Sequence, residues 1–294
     1  MRRKAHFNKM GAAMAAAMAA AFVTLLAAPV GAANDLKPDL RMAPFDIYTP
    51  LYIERTPDGR RLLHFDSIIV NVGAGAFEVH GSRPSTNTPE MTVTQSVFND
   101  AGTAPRSRST AARMYYSGDG HDHWHVRNLQ RYTLTRLADG KKVRTGDKHG
   151  FCFWDNVWFW LGSSQGAFYT DSSSPRACGQ FATDEAVVMG LSRGWGDIYP
   201  TSWVPDQYID ITGLAPGNYR LMGVVDPSDW FLEKNNTNNF TWIDVSIRGN
   251  TVSVIRHGPA AQPIGWSTAL SMSAYGRGSQ SGTPASPRKT AGDE

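Results

Sequence analysis

Three of the chain's eight histidines fall within five residues, in His121-Asp122-His123-Trp124-His125. On an extended backbone successive side chains alternate between two faces, so the three imidazoles would project to one side, roughly 6 to 7 Å apart at the backbone. Neutral imidazole nitrogens suit zinc or copper, and copper stands above zinc in the affinity order for such ligands. Zinc on three histidines with an open fourth position would activate water for hydrolysis. Copper would bring chemistry with oxygen. A polar surface strand is the plainer alternative, and the ligand set alone does not choose among these.

The elements that must position such a site read as strands. Short runs rich in Val, Ile, Tyr and Phe recur at Phe45 to Ile53, Leu62 to Val72, Phe77 to Val79, Met91 to Phe98, Tyr132 to Leu137, Gly150 to Phe159, Tyr208 to Ile211, Tyr219 to Val225 and Phe240 to Ile247. Gly, Pro, Asn and Asp punctuate them, as in strands joined by turns. Thr183 to Met189 alone reads as one or two turns of helix. Between Gly162 and Pro205 the chain is rich in Ser, Gly and Trp without a clear period, and long irregular segments in a compact domain are usually functional. These patterns predict a mainly β chain, a single β-sandwich-like domain with long irregular loops and no internal repeat.

Arg2, Arg3 and Lys4 precede an apolar run from Gly11 to Ala28, followed by the small residues Gly31, Ala32 and Ala33. That order is the order of a secretory signal, expected at residues 1–33. The Arg2-Arg3 pair leaves both general and twin-arginine export open. No other segment has the length of a bilayer span, so the expectation is a secreted or extracytoplasmic protein with no stable membrane span after cleavage. The catalytic domain is expected over residues 34–260. From 261 to 294 the chain, with Gly-Arg-Gly-Ser and Ser-Gly-Thr-Pro-Ala-Ser-Pro, is expected to be a disordered tail.

The formal charge of +3 is mild and the basic residues are scattered along the chain, so nucleic acid is not indicated. Cys152 and Cys178 are the only cysteines and are compatible with one disulfide in an oxidising compartment.

Seven segments, in order, resemble the lysyl oxidase family: Lys37-Pro38-Asp39-Leu40, the histidine motif, Gly146-Asp147-Lys148-His149-Gly150-Phe151-Cys152, Gly196-Asp197-Ile198-Tyr199, Gln207-Tyr208-Ile209-Asp210-Ile211-Thr212, Pro216-Gly217-Asn218-Tyr219 and Glu233-Lys234-Asn235-Asn236-Thr237-Asn238-Asn239. The resemblance covers roughly residues 37 to 247 and is to a minimal, bacterial-like form of that family's catalytic domain. The resemblance implies a copper-dependent amine oxidase in which His121, His123 and His125 hold copper. It implies a second cofactor, lysyl tyrosylquinone, made from Lys148 and Tyr199, with a one-residue gap needed between Tyr199 and Gln207. It further implies calcium on Asp39, the Leu40 carbonyl, Glu233, Asn238 and Asn239. Without it, Lys148 reads as a solvated turn residue, Tyr199 as a loop aromatic, and the Asn run as a turn capping its own backbone.

The implied reaction is oxidation of primary amines, either small amines or lysine side chains of peptides and proteins, by molecular oxygen. A quinone carbonyl condenses with the amine, a base removes a proton from the adjacent carbon, and hydrolysis releases the aldehyde. Asp197 and Asp155 are candidates for that base by their closeness in sequence. Two departures stand out: animal members carry many cysteines against two here, and their Trp-rich stretch before the histidines is replaced by Tyr115-Tyr116-Ser117-Gly118-Asp119-Gly120. A zinc hydrolase on the same three histidines and a non-catalytic exported copper-binding module are the alternative functions.

Overall fold

A computed structural model of the chain describes residues 33–118, 122–146, 148, 150–159, 166–170, 178–179, 181–202, 204 and 206–262. The expected signal core, the tail from 263 onward and His121 lie outside the described residues. Those described form nineteen strands and no helix, and every strand pairing is antiparallel. No helix among them is long and apolar enough to cross a membrane.

The largest sheet runs in space through Gly150–Phe151, Trp124–Arg127, Arg106–Tyr116, Glu90–Asn99, Phe77–Ser82 and Ala186–Leu191, with Asp35–Leu36 also pairing to Glu90–Asn99. A five-stranded sheet follows the order Lys142–Thr145, Gln130–Arg136, Gly217–Val225, Phe240–Arg248 and Thr251–His257. Four strands, Val157–Trp158, Trp195–Tyr199, Ser67–Asn71 and Leu40–Met42, form a third sheet, and Tyr208–Asp210, Arg61–His64 and Tyr52–Arg55 a fourth. Gly217–Val225 shows why these segments are strands: its buried positions alternate with partly exposed ones along most of its length, the period of a sheet with one face on the core.

Two local expectations are corrected. Thr183 to Met189 is not helix: residues 183–185 are irregular and Ala186–Leu191 is a strand, because its six residues pair in full with Phe77–Ser82. The run from Phe45 to Thr49 is irregular, and pairing begins only at Tyr52, past Pro50, while Phe45 and Ile47 are buried without a ladder. Arg106–Tyr116, rich in Arg and Ser, is the longest strand in spite of its polarity. Ala261 is buried and donates its N–H to the Met42 carbonyl at 2.8 Å, so packing extends to the first residue of the expected tail.

The main core carries a run of edge-on aromatic contacts. Phe65 meets Tyr132 at 5.0 Å between ring centres, Tyr132 meets Phe151 at 6.3 Å, and Phe151 meets Tyr199 at 5.1 Å, all near perpendicular. Such contacts each contribute about 0.5–1.5 kcal/mol beyond area burial and fix ring orientation. Tyr199 thus ends an aromatic series that joins three sheets.

Candidate functional site

His125 lies in the strand Trp124–Arg127, held between Arg106–Tyr116 and Gly150–Phe151. The strand is pinned at Trp124, whose backbone N–H donates to the Cys178 carbonyl at 2.8 Å and whose indole N–H donates to the Phe181 carbonyl at 3.0 Å. The Arg83 guanidinium stacks on that indole at 4.7 Å and donates to the carbonyls of Ala182, Asp184, Thr86 and Thr88. His123 and His125 point the same way, as alternation requires, with their Nε2 atoms 2.9 Å apart. Two imidazole nitrogens at that separation can share a metal at the usual bond length of about 2.0 Å. Among the described residues no three of His, Cys, Asp or Glu gather around one point; the motif's first histidine is not one of them. The pair present fits copper or zinc.

Gly150 explains how the next strand comes so close. A Cβ there would stand 2.0 Å from Tyr115 Oη and 2.6 Å from His125 Nδ1, so no other residue leaves both side chains in place.

Lys148, two residues earlier, lies in the connection between the five-stranded sheet and the large one, and is only 4% exposed. Its Nζ is 3.4 Å from Asp206 Oδ1, 5.1 Å from the centre of the Phe151 ring and 5.7 Å from that of Tyr199. Tyr199 ends the strand Trp195–Tyr199, is buried, and donates its hydroxyl to the Cys152 carbonyl. Neither residue is the solvated loop position that its local sequence suggests. Cys152 and Cys178 form the expected disulfide, with 5.4 Å between Cα atoms. One covalent bridge therefore joins the residue that accepts from Tyr199 to the residue that accepts from Trp124.

Asp197, two residues before Tyr199 on the same strand face, is buried within hydrogen-bonding reach of the Tyr199 hydroxyl and is also bonded by the Asn156 amide. Burial pushes its carboxyl well above the ordinary range, against the lowering effects of Tyr199, Asn156 and Lys148. Burial, with Asp197 beside it, likewise raises the Tyr199 phenol well above its ordinary value. Asp155 is bonded by the N–H groups of Phe168, Tyr169 and Ser192 and by the Ser192 hydroxyl, and burial raises its carboxyl too. Those four donors occupy Asp155, which leaves Asp197 as the better placed of the two carboxyls near the Lys148–Tyr199 pair. Asp206 escaped the sequence reading, being one acid in an irregular loop with no pattern to mark it. A cleft of about 240 Å³, walled by Asn128, Gln130, Arg131, Thr145 and Lys148 among others, reaches Lys148 from the outside.

A second cluster joins the start of the domain to the Asn-rich loop. Glu233 is buried, accepts from the Leu40 N–H and accepts from the Asn239 amide at 2.8 Å. The side-chain oxygens Asp39 Oδ1, Asn238 Oδ1 and Asn239 Oδ1 are buried with no hydrogen-bond partner. Burial, reinforced by the charges of Asp226 and Asp39, pushes Glu233 up to about 8. Within the run only Asn235 caps its own turn, accepting from Thr237 N–H at 2.9 Å. Orphaned hard oxygens around a carboxylate are the donor set calcium takes, so the residues present fit that ion.

A family model described as lysyl oxidase matches residues 83–257 of the chain. Lysyl oxidase homolog 1 of Homo sapiens is 32% identical over 136 residues, which are 45% of this chain and 20% of that protein. Protein-lysine 6-oxidase of Gallus gallus is 31% identical over 131 residues, 44% of this chain and 27% of that protein. Lysyl oxidase homolog 3 of Homo sapiens is 27% identical over 180 residues, 61% of this chain and 18% of that protein. The match thus spans about a fifth to a quarter of the length of these relatives.

Proposed function

The chain belongs to the lysyl oxidase family, and from that premise we propose that it oxidatively deaminates primary amines, chiefly lysine side chains of peptides or proteins. One amine, one dioxygen and one water would give one aldehyde, one ammonia and one hydrogen peroxide. His121, His123 and His125 would hold copper, and Lys148 and Tyr199 would be the precursors of lysyl tyrosylquinone. Bound together, these groups would supply an electrophilic carbonyl for the amine and a route for two electrons to oxygen. The observation that carries this reading is the placement of Lys148 Nζ 5.7 Å from the Tyr199 ring centre, with both residues buried.

The chain's own residues have definable parts in this reading. Asp206, partly exposed, holds the Lys148 Nζ at 3.4 Å and puts a carboxylate where an incoming ammonium would be attracted. Asp197, whose carboxyl burial raises well above the ordinary range, lies within hydrogen-bonding reach of the Tyr199 hydroxyl and would carry a proton at that oxygen. Phe151 packs edge-on against the Tyr199 ring and Tyr132 against Phe151, and these buried rings would help to keep water from it. Asp39, Leu40, Glu233, Asn238 and Asn239 would hold calcium, tying residues 38–40 to the 233–239 loop and relieving the crowding of carboxyls there. A disulfide and a leader-like N-terminus both suit a secreted or extracytoplasmic protein.

The test is peroxide release from cadaverine or a lysyl peptide by the copper-loaded protein, with a mass spectrum of the peptides containing Lys148 and Tyr199. Peroxide together with a crosslinked peptide pair supports the oxidase. Neither signal, from protein holding stoichiometric copper, leaves a copper-binding module in its place.

A further inference from the structure

Basic residues that are scattered in sequence meet at one end of the five-stranded sheet, where the turn 137–141, the loop 211–217 and the turn 248–250 lie together. Lys141, Lys142 and Arg144 wall a cleft of about 320 Å³ whose floor is Gly213, Leu214 and Ala215. Arg61 joins them from the neighbouring sheet, donating to the carbonyls of Leu214 and Gly249. Arg144 donates to the carbonyls of Thr212 at 2.9 Å and Val143 at 2.8 Å, and Arg248 to those of Gly217 at 2.8 Å and Ile247 at 2.9 Å.

These partners are neutral. Among the described residues none of Arg61, Lys141, Lys142, Arg144 and Arg248 is in an ion pair. Of the acids nearby, Asp58 pairs with Arg60 at 2.9 Å and Asp139 with Arg136 at 2.9 Å; Asp210 accepts from the Thr212 N–H at 2.8 Å, keeps its charge and acts on Arg144 at longer range, which leaves the five cations in excess. The carbonyl bonds hold three guanidinium groups in fixed places without cancelling their charge. The result is a pre-ordered positive face with Lys141 and Lys142 exposed at its rim.

We propose that this face binds an anionic polysaccharide, a polymer with a carboxylate or sulfate on its repeating sugars. The charges come from three separate places at one end of the sheet, residues 141–144, Arg61 and Arg248, which suits regularly spaced anions better than a single one, and the cleft has room for a sugar ring. The segments 56–61, 137–145, 211–217 and 248–251 contain no aromatic residue on which bases could stack. Leu137 is their one exposed large apolar side chain, too little to enter a bilayer. Lys148 lies six residues beyond Lys142, past the far end of the strand Lys142–Thr145, on the order of 20 Å away at strand rise. A polymer on this face would anchor the protein and leave the cleft beside Lys148 open. The inference does not depend on the oxidase reading.

The test is binding of the full chain to polygalacturonate and to dextran sulfate, with neutral dextran as reference, at low and at high salt. Wild-type protein is expected to bind one or both anionic polymers, more weakly as salt rises, and not to bind dextran; the two polymers distinguish carboxylate from sulfate recognition. Lys141→Glu/Lys142→Glu should lose about 10-fold or more in affinity, and Lys141→Gln/Lys142→Gln an intermediate amount. The charge-matched Arg106→Glu/Arg113→Glu, on another sheet, should keep its affinity to within about 3-fold at high enough salt to screen distant charges. Equal losses in the two charge-reversed variants, no loss in the lysine variants, or tighter binding to a duplex oligonucleotide or to phosphatidylglycerol vesicles would overturn the proposal. An unchanged unfolding midpoint in each variant shows that the comparison is between folded proteins.

Discussion

Lys148 Nζ stands 5.7 Å from the centre of the Tyr199 ring, although the two residues are fifty-one positions apart and one comes from a connection between two sheets, the other from a strand of a third. A lysine that is 96% buried is uncommon, since its ammonium must replace the water it gives up. Here one carboxylate oxygen of Asp206 and two aromatic rings are among the groups that replace it. The approach of lysine to tyrosine is thus built into the folded chain.

Replacing Lys148 separates the oxidase from the other readings. Lys148→Arg keeps a cation beside Asp206, but a guanidinium stays charged and offers no amine to a ring carbon. Both Lys148→Arg and Lys148→Ala are expected to abolish peroxide release and the Lys148–Tyr199 crosslinked peptide. Copper binding, measured by titration of the metal-free variants, should stay within about 3-fold of wild type, because the histidine strand is positioned by Trp124, Arg83 and Gly150 instead. Crosslinked peptide from Lys148→Arg protein would defeat the assignment of this lysine.

Gly150→Ala puts a methyl group where Tyr115 Oη and His125 Nδ1 now are. The clash is with the Tyr115 hydroxyl and the His125 ring, which face each other on the next two strands, so the strand Trp124–Arg127 must shift against its neighbours. Overpacking of this kind costs about 1–3 kcal/mol. The variant should unfold at a lower temperature and bind copper at least about 10-fold more weakly, whereas Gly166→Ala, with open space around it, should leave copper affinity unchanged. Equal copper affinity in wild-type and Gly150→Ala protein would mean that His125 takes no part in the metal site.

The features legible in the sequence are those where one residue type does one job at fixed spacing. Alternation in the histidine motif carried over directly to His123 and His125, whose nitrogens converge. The apolar runs became strands where turns bounded them, as at Tyr219 to Val225. Thr183 to Met189 misled because so short a run has no clear period of its own, and the pairing of Ala186–Leu191 with Phe77–Ser82 decides it. Arg106–Tyr116 gave no apolar signal, since most of its first eight side chains face solvent and its stability comes from the ladders on both sides. The positive face was invisible for a similar reason. Lys141, Arg144, Arg61 and Arg248 are near neighbours only after four strands have brought their turns together.

The disulfide should matter to the site more than to the bulk of the fold. Cys152 and Cys178 close a loop of twenty-six residues, for which removal costs about 2–4 kcal/mol. Yet the Cys152 carbonyl receives the Tyr199 hydroxyl and the Cys178 carbonyl receives Trp124 N–H. Cys152→Ser/Cys178→Ser protein, at a temperature where it is still folded, is therefore expected to form less of the Lys148–Tyr199 crosslink and to bind copper more weakly. Mass spectrometry and metal titration on the same sample test both, and an unaltered yield would reduce the bridge to a general brace.

Glu233 gives the calcium reading a pH signature. Its ordinary value is 4.5 and the folded chain without cation raises it to about 8, so between those limits the folded state holds a proton that the unfolded state has released. The stability of calcium-free protein should accordingly fall as pH rises from about 5 to 8, by at most about 1.4 kcal/mol per unit, and level off above. Calcium reverses the sign of the demand, because it binds the carboxylate. Its affinity should rise with pH across the same interval as the proton is displaced, and unfolding midpoints with calcium should fall less between pH 5 and 8 than those in chelator. Glu233→Gln removes the titrating proton while keeping the shape, so it should flatten the pH dependence in chelator and weaken calcium binding together. A Glu233→Gln protein whose midpoint still rises with calcium as in wild type would place the ion elsewhere and leave Asp39, Asn238 and Asn239 with orphaned oxygens to be explained another way.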